Sequence, residues 1–200
     1  MKIILLALFL FCCGSCGPLL AMERMISQKD ENGNPPLTVA IRRGHRIMIS
    51  WLLNHGALLE ELDSEGDTPL MWAIRKEDLS TVKLLLNKGA KLNIQNNRFH
   101  SPLSLALASR NEVIIDLLLA QKGIDLSLQD RNGNTPLHLA IKYELPQVVQ
   151  RLLELQVPLE ITNCQFQIVF FHRHHKRSHS LVQISFIDIG PIFYKNLDCR

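Results

Sequence analysis

The chain has 200 residues, of which 46 % are apolar and 20 % charged; these proportions are ordinary for a folded protein and argue against a disordered chain. The net charge of +3 belongs to the C-terminal part, because residues 30–163 contain 14 Lys and Arg against 16 Asp and Glu, whereas residues 164–200 contain 5 against 2. A slightly acidic central part lacks the basic surface that a nucleic-acid backbone requires, so we expect no nucleic-acid partner.

The N-terminal segment, residues 1–21, has the order of parts typical of a secretory signal. Lys2 precedes an apolar run over residues 3–11, and small residues follow. This run is too short to cross a bilayer as a lone helix. We therefore predict an exported protein, periplasmic or extracellular, with no stable membrane span once the signal is removed. The alternative is a protein that this segment anchors to a membrane.

The central part of the chain repeats one pattern four times. Alanine stands four residues after a proline in each copy, and a Leu-Leu pair begins sixteen residues after that proline. The four prolines, separated by 33, 33 and 34 residues, are Pro36, Pro69, Pro102 and Pro136. A fixed period of this length indicates one structural unit that is stacked several times. The repeats extend over about 30–62, 63–95, 96–129 and 130–162.

Each repeat begins with a turn that leads into a short helix. The pattern Asp-x-x-Gly, as at Asp63–Gly66, predicts a turn, because aspartate binds nearby backbone N–H groups and glycine accepts a positive φ. Thr68 stands before a proline, which is typical of a helix start with the hydroxyl as N-cap. Ser101 and Thr135 repeat this arrangement, whereas Pro35 lacks the hydroxyl in the first repeat.

A second helix completes each repeat. Its aliphatic residues, for example the leucines at 84–86, need neighbouring repeats to cover them, and Gly56 and Gly89 supply the left-handed residue that ends such a helix. In the third repeat, Asn96 and Phe99 take the places of Asp and Gly, so we expect its tip to differ locally. Because one unit cannot bury its own apolar face, the array is the folding unit.

This pattern resembles the ankyrin repeat over roughly residues 29–163. The resemblance implies an all-α fold, an ankyrin repeat solenoid of helix-turn-helix units joined by β-hairpin-like loops. We expect this domain to occupy residues 22–163, with a covering helix near residues 21–27. The resemblance also implies that His138 has a structural role, as a hydrogen-bonding residue between neighbouring loops. It further implies that the concave side, made of the hairpin tips and the exposed end of each first helix, binds other proteins.

By position, the two residues that follow each Ala-Ile or Ala-Leu pair should face this groove. They are Arg42, Arg43, Arg75, Lys76, Ala108, Ser109, Lys142 and Tyr143. The first two repeats thus line up four cations, with Trp72 on the same short helix. Further partner-binding candidates at the tips are Glu65, Asp67, Arg98, His100 and Arg131. We predict a protein partner with an acidic segment over the first-helix residues and polar or basic groups toward the tips.

Two alternatives to this binding surface remain open at the level of sequence. Long cationic side chains often only solvate a protein surface. Trp72, as a large apolar side chain, could instead be buried between repeats.

Residues 164–200 do not share the repeat. Four histidines in this tail, together with Cys164, could hold a metal ion, since imidazole and thiolate suit zinc or copper. These histidines are His172, His174, His175 and His179. Their spacing matches no zinc pattern, so we expect a solvated basic stretch and no metal. Residues 181–189 alternate in a way that predicts a short strand.

The sequence contains no Gly-rich phosphate loop, HExxH or GxSxG motif, and no pair of Cys-x-x-Cys motifs. We therefore predict a non-catalytic protein-interaction module that needs no cofactor, and we expect a monomer. The alternatives are an ankyrin scaffold that carries a metal-binding or catalytic tail, and a truncated product without a stable function.

Overall fold

A computed structural model of the protein describes residues 25–155 and two strands at residues 167–172 and 183–188. Within residues 25–155, four pairs of short helices follow one another, one pair in each predicted repeat. The pairs are α1 (Pro36–Arg43) and α2 (Arg46–Asn54), α3 (Pro69–Arg75) and α4 (Leu79–Asn87), α5 (Pro102–Ser109) and α6 (Glu112–Leu119), and α7 (Pro136–Lys142) and α8 (Pro146–Glu154). This confirms the predicted helix-turn-helix units and the all-α fold of the repeats.

Hydroxyl groups cap two of the first helices, α3 and α5, as the sequence predicts, whereas the Thr135 hydroxyl contacts His138 at the start of α7. The Thr68 hydroxyl accepts a hydrogen bond from the backbone N–H of Met71 at 3.2 Å, at the start of α3. At α5 the two serines form a reciprocal pair, since Ser104 N donates to Ser101 Oγ at 3.1 Å and Ser101 N donates to Ser104 Oγ at 2.8 Å. These bonds satisfy N–H groups that have no partner inside the helix, and each cap stabilises its helix by about 1 kcal/mol.

The predicted Asp-x-x-Gly turns form the tips of the repeats. In the second repeat, Gly66 N donates to the Asp63 carbonyl at 3.0 Å, and Gly66 has a φ of 78°. A side chain is excluded there, because an added Cβ would lie 2.9 Å from the backbone N of Asn97. Phe99 has a φ of 61°, so the third tip keeps the positive φ with a residue for which it is unfavourable. The third tip therefore keeps a positive φ at this position, as the other tips do, and differs from them in the residue type.

A second left-handed residue recurs between the two helices of every repeat, and the sequence analysis did not single it out. The φ values are 69° at Gly44, 53° at Glu77, 56° at Arg110 and 56° at Glu144. These residues are spaced 33, 33 and 34 apart, like the prolines. The turn between the helices needs this conformation whatever the residue, and glycine supplies it only in the first repeat.

The core lies between the helices of neighbouring repeats. The chain divides into two compact units, Met1–Asn97 and Arg98–Arg200. In the first unit α1 packs against α2 and α3, and in the second α5 packs against α6 and α7. The alanine of each first helix is buried, with Ala73, Ala106 and Ala140 at 0 % exposure. Alanine is required because its small side chain lets the adjacent helix approach closely.

The C-terminal tail contains two paired strands. β1 (Gln167–His172) and β2 (Gln183–Asp188) are antiparallel, with Gln167 opposite Asp188 and His172 opposite Gln183. The strand predicted over residues 181–189 is therefore present, and its partner comes from the tail itself. The all-α description applies to the repeats.

Two predictions concern the N-terminal residues, of which the structure describes those from residue 25 onward. Residues 25–27 are helical, at the end of the stretch where a covering helix is predicted, and the signal segment 1–21 lies outside the described part. No helix in the described part of the chain is both long enough and apolar enough to span a membrane.

The left-handed position between the helices gives a stability prediction. Gly44→Ala should lower the free energy of unfolding by about 1 kcal/mol, because a Cβ is unfavourable at positive φ. Nothing lies within 4 Å of the added Cβ, so steric crowding by other residues does not contribute. Urea unfolding of the full chain measures the effect.

Glu144→Ala is the matched control at the same position of the fourth repeat. Both glutamate and alanine carry a Cβ, so its free energy of unfolding should stay within about 0.5 kcal/mol of wild type. Equal effects of the two substitutions would contradict the conformational explanation.

Candidate interaction surface

Trp72 is the centre of the predicted groove in the first unit, and it is half-buried. Its indole Nε1 donates a hydrogen bond to Asp63 Oδ2 at 2.7 Å. The guanidinium carbon of Arg42 lies 4.7 Å from the Trp72 ring centroid, and that of Arg75 lies 5.9 Å from it. Both distances allow cation–π attraction. Trp72 is thus neither a free anchor for a partner nor a core residue, because it orients two of the predicted cations.

Asp67 does not have the accessible position at the tip that the sequence analysis expects. Its side chain is 1 % exposed, and its Oδ2 lies 3.1 Å from Arg75 Nε in an ion pair. Asn96 Nδ2 donates to Asp67 Oδ1 at 2.6 Å. A carboxylate is tolerated inside a protein only when charged or polar partners compensate it, and Arg75 and Asn96 do so here. The prediction that Asp67 contacts a partner is corrected accordingly.

This geometry also explains why the third repeat has Asn96 in place of Asp. An amide donates a hydrogen bond to the Asp67 carboxylate, whereas a second carboxylate would repel it. The departure from the repeat pattern is therefore a local electrostatic requirement of the contact between the second and third tips within the first unit.

The four predicted cations divide into two classes. Arg42 and Arg75 are oriented by Trp72 and Asp67. The side chains of Arg43 and Lys76 are exposed and, among the residues that the structure describes, form neither an ion pair nor a hydrogen bond. Their charges are available to a partner, because no internal group neutralises them.

An open cleft of about 780 Å³ continues this surface beyond the first helices. It lies at the turns between the helices of the first and second repeats, and its lining includes Arg46 and Lys83 as well as Arg42, Arg43 and Lys76. Arg46 and Lys83 are not among the sequence-predicted candidates, because they belong to the second helices and do not follow the Ala-Ile pairs. Their only sequence signal is that both are charged residues on helices rich in aliphatic side chains.

The remaining candidates lie in other places. Glu65 is exposed, and its carbonyl accepts from the backbone N–H of Asn97 at 3.2 Å. In the second unit Arg98, Arg131 and Lys142 are exposed, whereas His100 and Tyr143 are half-buried. Lys142 Nζ lies 5.8 Å from the ring of the adjacent Tyr143. This contact joins two adjacent residues at the end of α7.

Carboxylates of the turns and caps are held in the charged form by hydrogen bonds. Backbone and side-chain donors of Asn34 lower the pKa of Asp30 below its ordinary value. Burial raises the pKa of Asp78, but hydrogen bonds from Ser80 and Thr81 and the charge of Arg46 together outweigh it, so the net shift is downward. Hydrogen bonds from Ser127 lower the pKa of Asp125. These shifts have structural causes in local turns, and none of them indicates an acid–base pair.

The described residues contain no group of three or more His, Cys, Asp or Glu that could hold a metal ion. His172 ends β1, while Cys164, His174, His175 and His179 lie outside the described residues. His138 is buried, and its Nδ1 lies 2.8 Å from Thr135 Oγ1 at the start of α7. This contact with Thr135 lies at the N-terminus of α7.

Comparison with known proteins gives one family. The model described as ankyrin repeats (3 copies) matches residues 7–96 and again residues 93–163. Together these two matches cover well over half of the chain. No curated protein matches the sequence.

The two classes of cation should separate in stability measurements. Arg75→Ala should lower the free energy of unfolding by about 2 kcal/mol, because it leaves the buried Asp67 carboxylate without its charged partner. Lys76→Ala, the adjacent control, should change the same quantity by less than about 0.5 kcal/mol, because its side chain is exposed and unpaired.

A double variant tests the cause. Adding Asp67→Asn to Arg75→Ala removes the uncompensated charge, so part of the lost stability should return. If Lys76→Ala were as destabilising as Arg75→Ala in urea unfolding, the division of the cations would be wrong.

Proposed function

The chain belongs to the ankyrin repeat family, and on that premise we propose that it is a non-catalytic module that binds a protein partner through the concave side of its first two repeats. Ankyrin repeats are generally protein–protein interaction modules. The observation that carries the proposal is the exposure of Arg43 and Lys76, whose side-chain charges are not neutralised. Each directly follows in the chain a cation, Arg42 or Arg75, that lies over the Trp72 ring. Unpaired cations beside a half-buried aromatic residue are the side chains from which binding energy can be drawn when a partner excludes water.

The partner has an acidic segment that lies along the ends of α1 and α3. Arg42 supports this chemistry, because its guanidinium is exposed and guanidinium N–H groups bind carboxylates in pairs. Its position over the Trp72 ring also lowers the entropy that Arg42 loses on binding. Exposed acids at the tips, such as Glu31 and Glu65, favour polar or basic groups on the part of the partner that reaches them.

The module acts as a monomer in an exported protein. Export rests on the segment of residues 1–21, with its single early lysine and short apolar run. Sequencing of the mature N-terminus and cell fractionation test this part. An intact residue 1 on a protein retained inside the cell would contradict it.

Partner capture tests the binding surface. Immobilised full-length protein should retain a defined set of proteins from the native extract, and the double variant Arg43→Glu/Lys76→Glu should lose them, because reversing two unpaired charges repels an acidic segment. Quantitative mass spectrometry of the retained proteins is the measurement, and each loss should be at least about tenfold, as for a few close charge contacts.

The control reverses the same number of charges elsewhere. Lys91 and Lys122 are exposed cations that neither follow an Ala-Ile or Ala-Leu pair nor line the cleft, so Lys91→Glu/Lys122→Glu should retain the same proteins as wild type. Loss of the proteins from both variants would indicate a nonspecific charge effect. Retention by both would move the binding site away from the first two repeats.

A further inference from the structure

The cleft at the turns between the helices of the first two repeats contains more positive charge than an acidic segment along the groove would use. Its lining has the cations Arg42, Arg43, Arg46, Lys76 and Lys83 against the acids Glu77 and Asp78, an excess of three positive charges. All of these residues belong to the first unit. The charge is concentrated in one place, while the repeat region as a whole is slightly acidic.

One of the two acids, Asp78, attracts Arg46 but is already hydrogen-bonded at the start of its own helix. The Asp78 carboxylate accepts hydrogen bonds from Thr81 N at 3.2 Å and from Thr81 Oγ1 at 2.8 Å, so it caps the start of α4. Its oxygens are directed to its own helix. The side chains of Arg46 and Lys83 are exposed and, in the described residues, form neither an ion pair nor a hydrogen bond. The charge of Arg46 is near enough to Asp78 to help lower the pKa of that carboxyl.

The shape of the cleft and the chemistry of its lining limit the class of ligand. Pockets for free small molecules are mostly enclosed, whereas this cleft is open to solvent and seven of its lining residues are charged. A single carboxylate on such a surface would bind weakly, because exposed ion pairs contribute little. A dianion contacts several cations at once, and guanidinium groups bind phosphate oxygens in pairs.

The extent of the charge excludes a long polyanion. Nucleic-acid binding requires a basic stripe along the protein surface, since each phosphate contact adds a separate charge interaction. Here the cations are confined to one cleft, and the excess charge matches one phosphoryl group of about −2 together with a neighbouring acidic residue.

We propose that this cleft is a phosphate-recognition site for a phosphorylated side chain in the acidic segment of the protein partner. The proposal rests on the proposed function, because the segment that lies along α1 and α3 is what delivers the phosphoryl group to the adjacent cleft. Arg42, Arg43 and Lys76 are shared by both surfaces, whereas Arg46 and Lys83 contact only the phosphate.

Peptide pools test the proposal directly. Three pools of degenerate peptides, identical except for phosphoserine, glutamate or serine at the fixed centre, are passed over immobilised full-length protein at about 150 mM salt, where surface charges are screened as in physiological solution. The phosphoserine pool should be retained about tenfold more than the serine pool, as several charge-assisted hydrogen bonds allow. Glutamate should give an intermediate value. Equal retention of the three pools would overturn the proposal.

Variants locate the effect. Arg46→Ala/Lys83→Ala should remove the preference for phosphoserine, and Lys91→Ala/Lys122→Ala should leave it unchanged. A preference that persists in Arg46→Ala/Lys83→Ala would place phosphate recognition elsewhere and overturn the assignment. A single-stranded DNA 12-mer retained more strongly than the phosphoserine pool would identify the cleft as a nucleic-acid site, which also overturns it.

Phosphatase treatment separates this proposal from the proposed function. If the extract is dephosphorylated before capture, the proteins that depend on Arg43 and Lys76 should be lost or strongly reduced. If they are captured unchanged, the interaction module stands and the phosphate-recognition site does not.

Discussion

No single repeat of this protein can bury its own apolar helix face, and the rest of the structure depends on that constraint. The faces of two neighbouring helix pairs must meet, which demands close approach of the first helices and explains why Ala73, Ala106 and Ala140 are fully buried. The same approach brings the polar turns of adjacent repeats into contact. Their hydrogen bonds must then be satisfied between repeats as well as within them.

The groove chemistry follows from this second requirement. Asp67 is buried where the tips of the second and third repeats meet. It accepts a hydrogen bond from Asn96 and forms an ion pair with Arg75. Arg75 is thereby used to stabilise the fold, and Trp72 likewise orients Arg42. The cations that remain for a partner are Arg43 and Lys76, together with the exposed Arg42, whose guanidinium lies over the Trp72 ring. A count of cations in the sequence therefore overstates the binding surface, and the structure reduces it to a smaller and better defined set.

Sequence alone was sufficient for the features that one residue type determines. The period, the proline-led first helices, the hydroxyl caps at Thr68 and Ser101, and the Asp-x-x-Gly tip at Asp63–Gly66 are all confirmed. Each depends on local backbone chemistry that a short motif records.

Features that depend on contacts between repeats were missed or assigned wrongly. The left-handed turn residue cannot be recognised in the sequence, because Glu77, Arg110 and Glu144 have the same backbone conformation but no common side-chain chemistry. Asp67 was placed at the surface because burial of a carboxylate depends on partners that are distant in sequence, such as Asn96. The cleft was not foreseen, since Arg46 and Lys83 come together only through the packing of two repeats.

The most direct test of the account is amide hydrogen exchange of the full chain with and without a captured partner. Slower exchange on binding should be confined to the ends of α1 and α3 and the turns that follow them, residues 42–46 and 76–83, because the proposed contacts lie there. Protection limited to the second unit or to the tail, with no change in residues 42–46 and 76–83, would contradict the account.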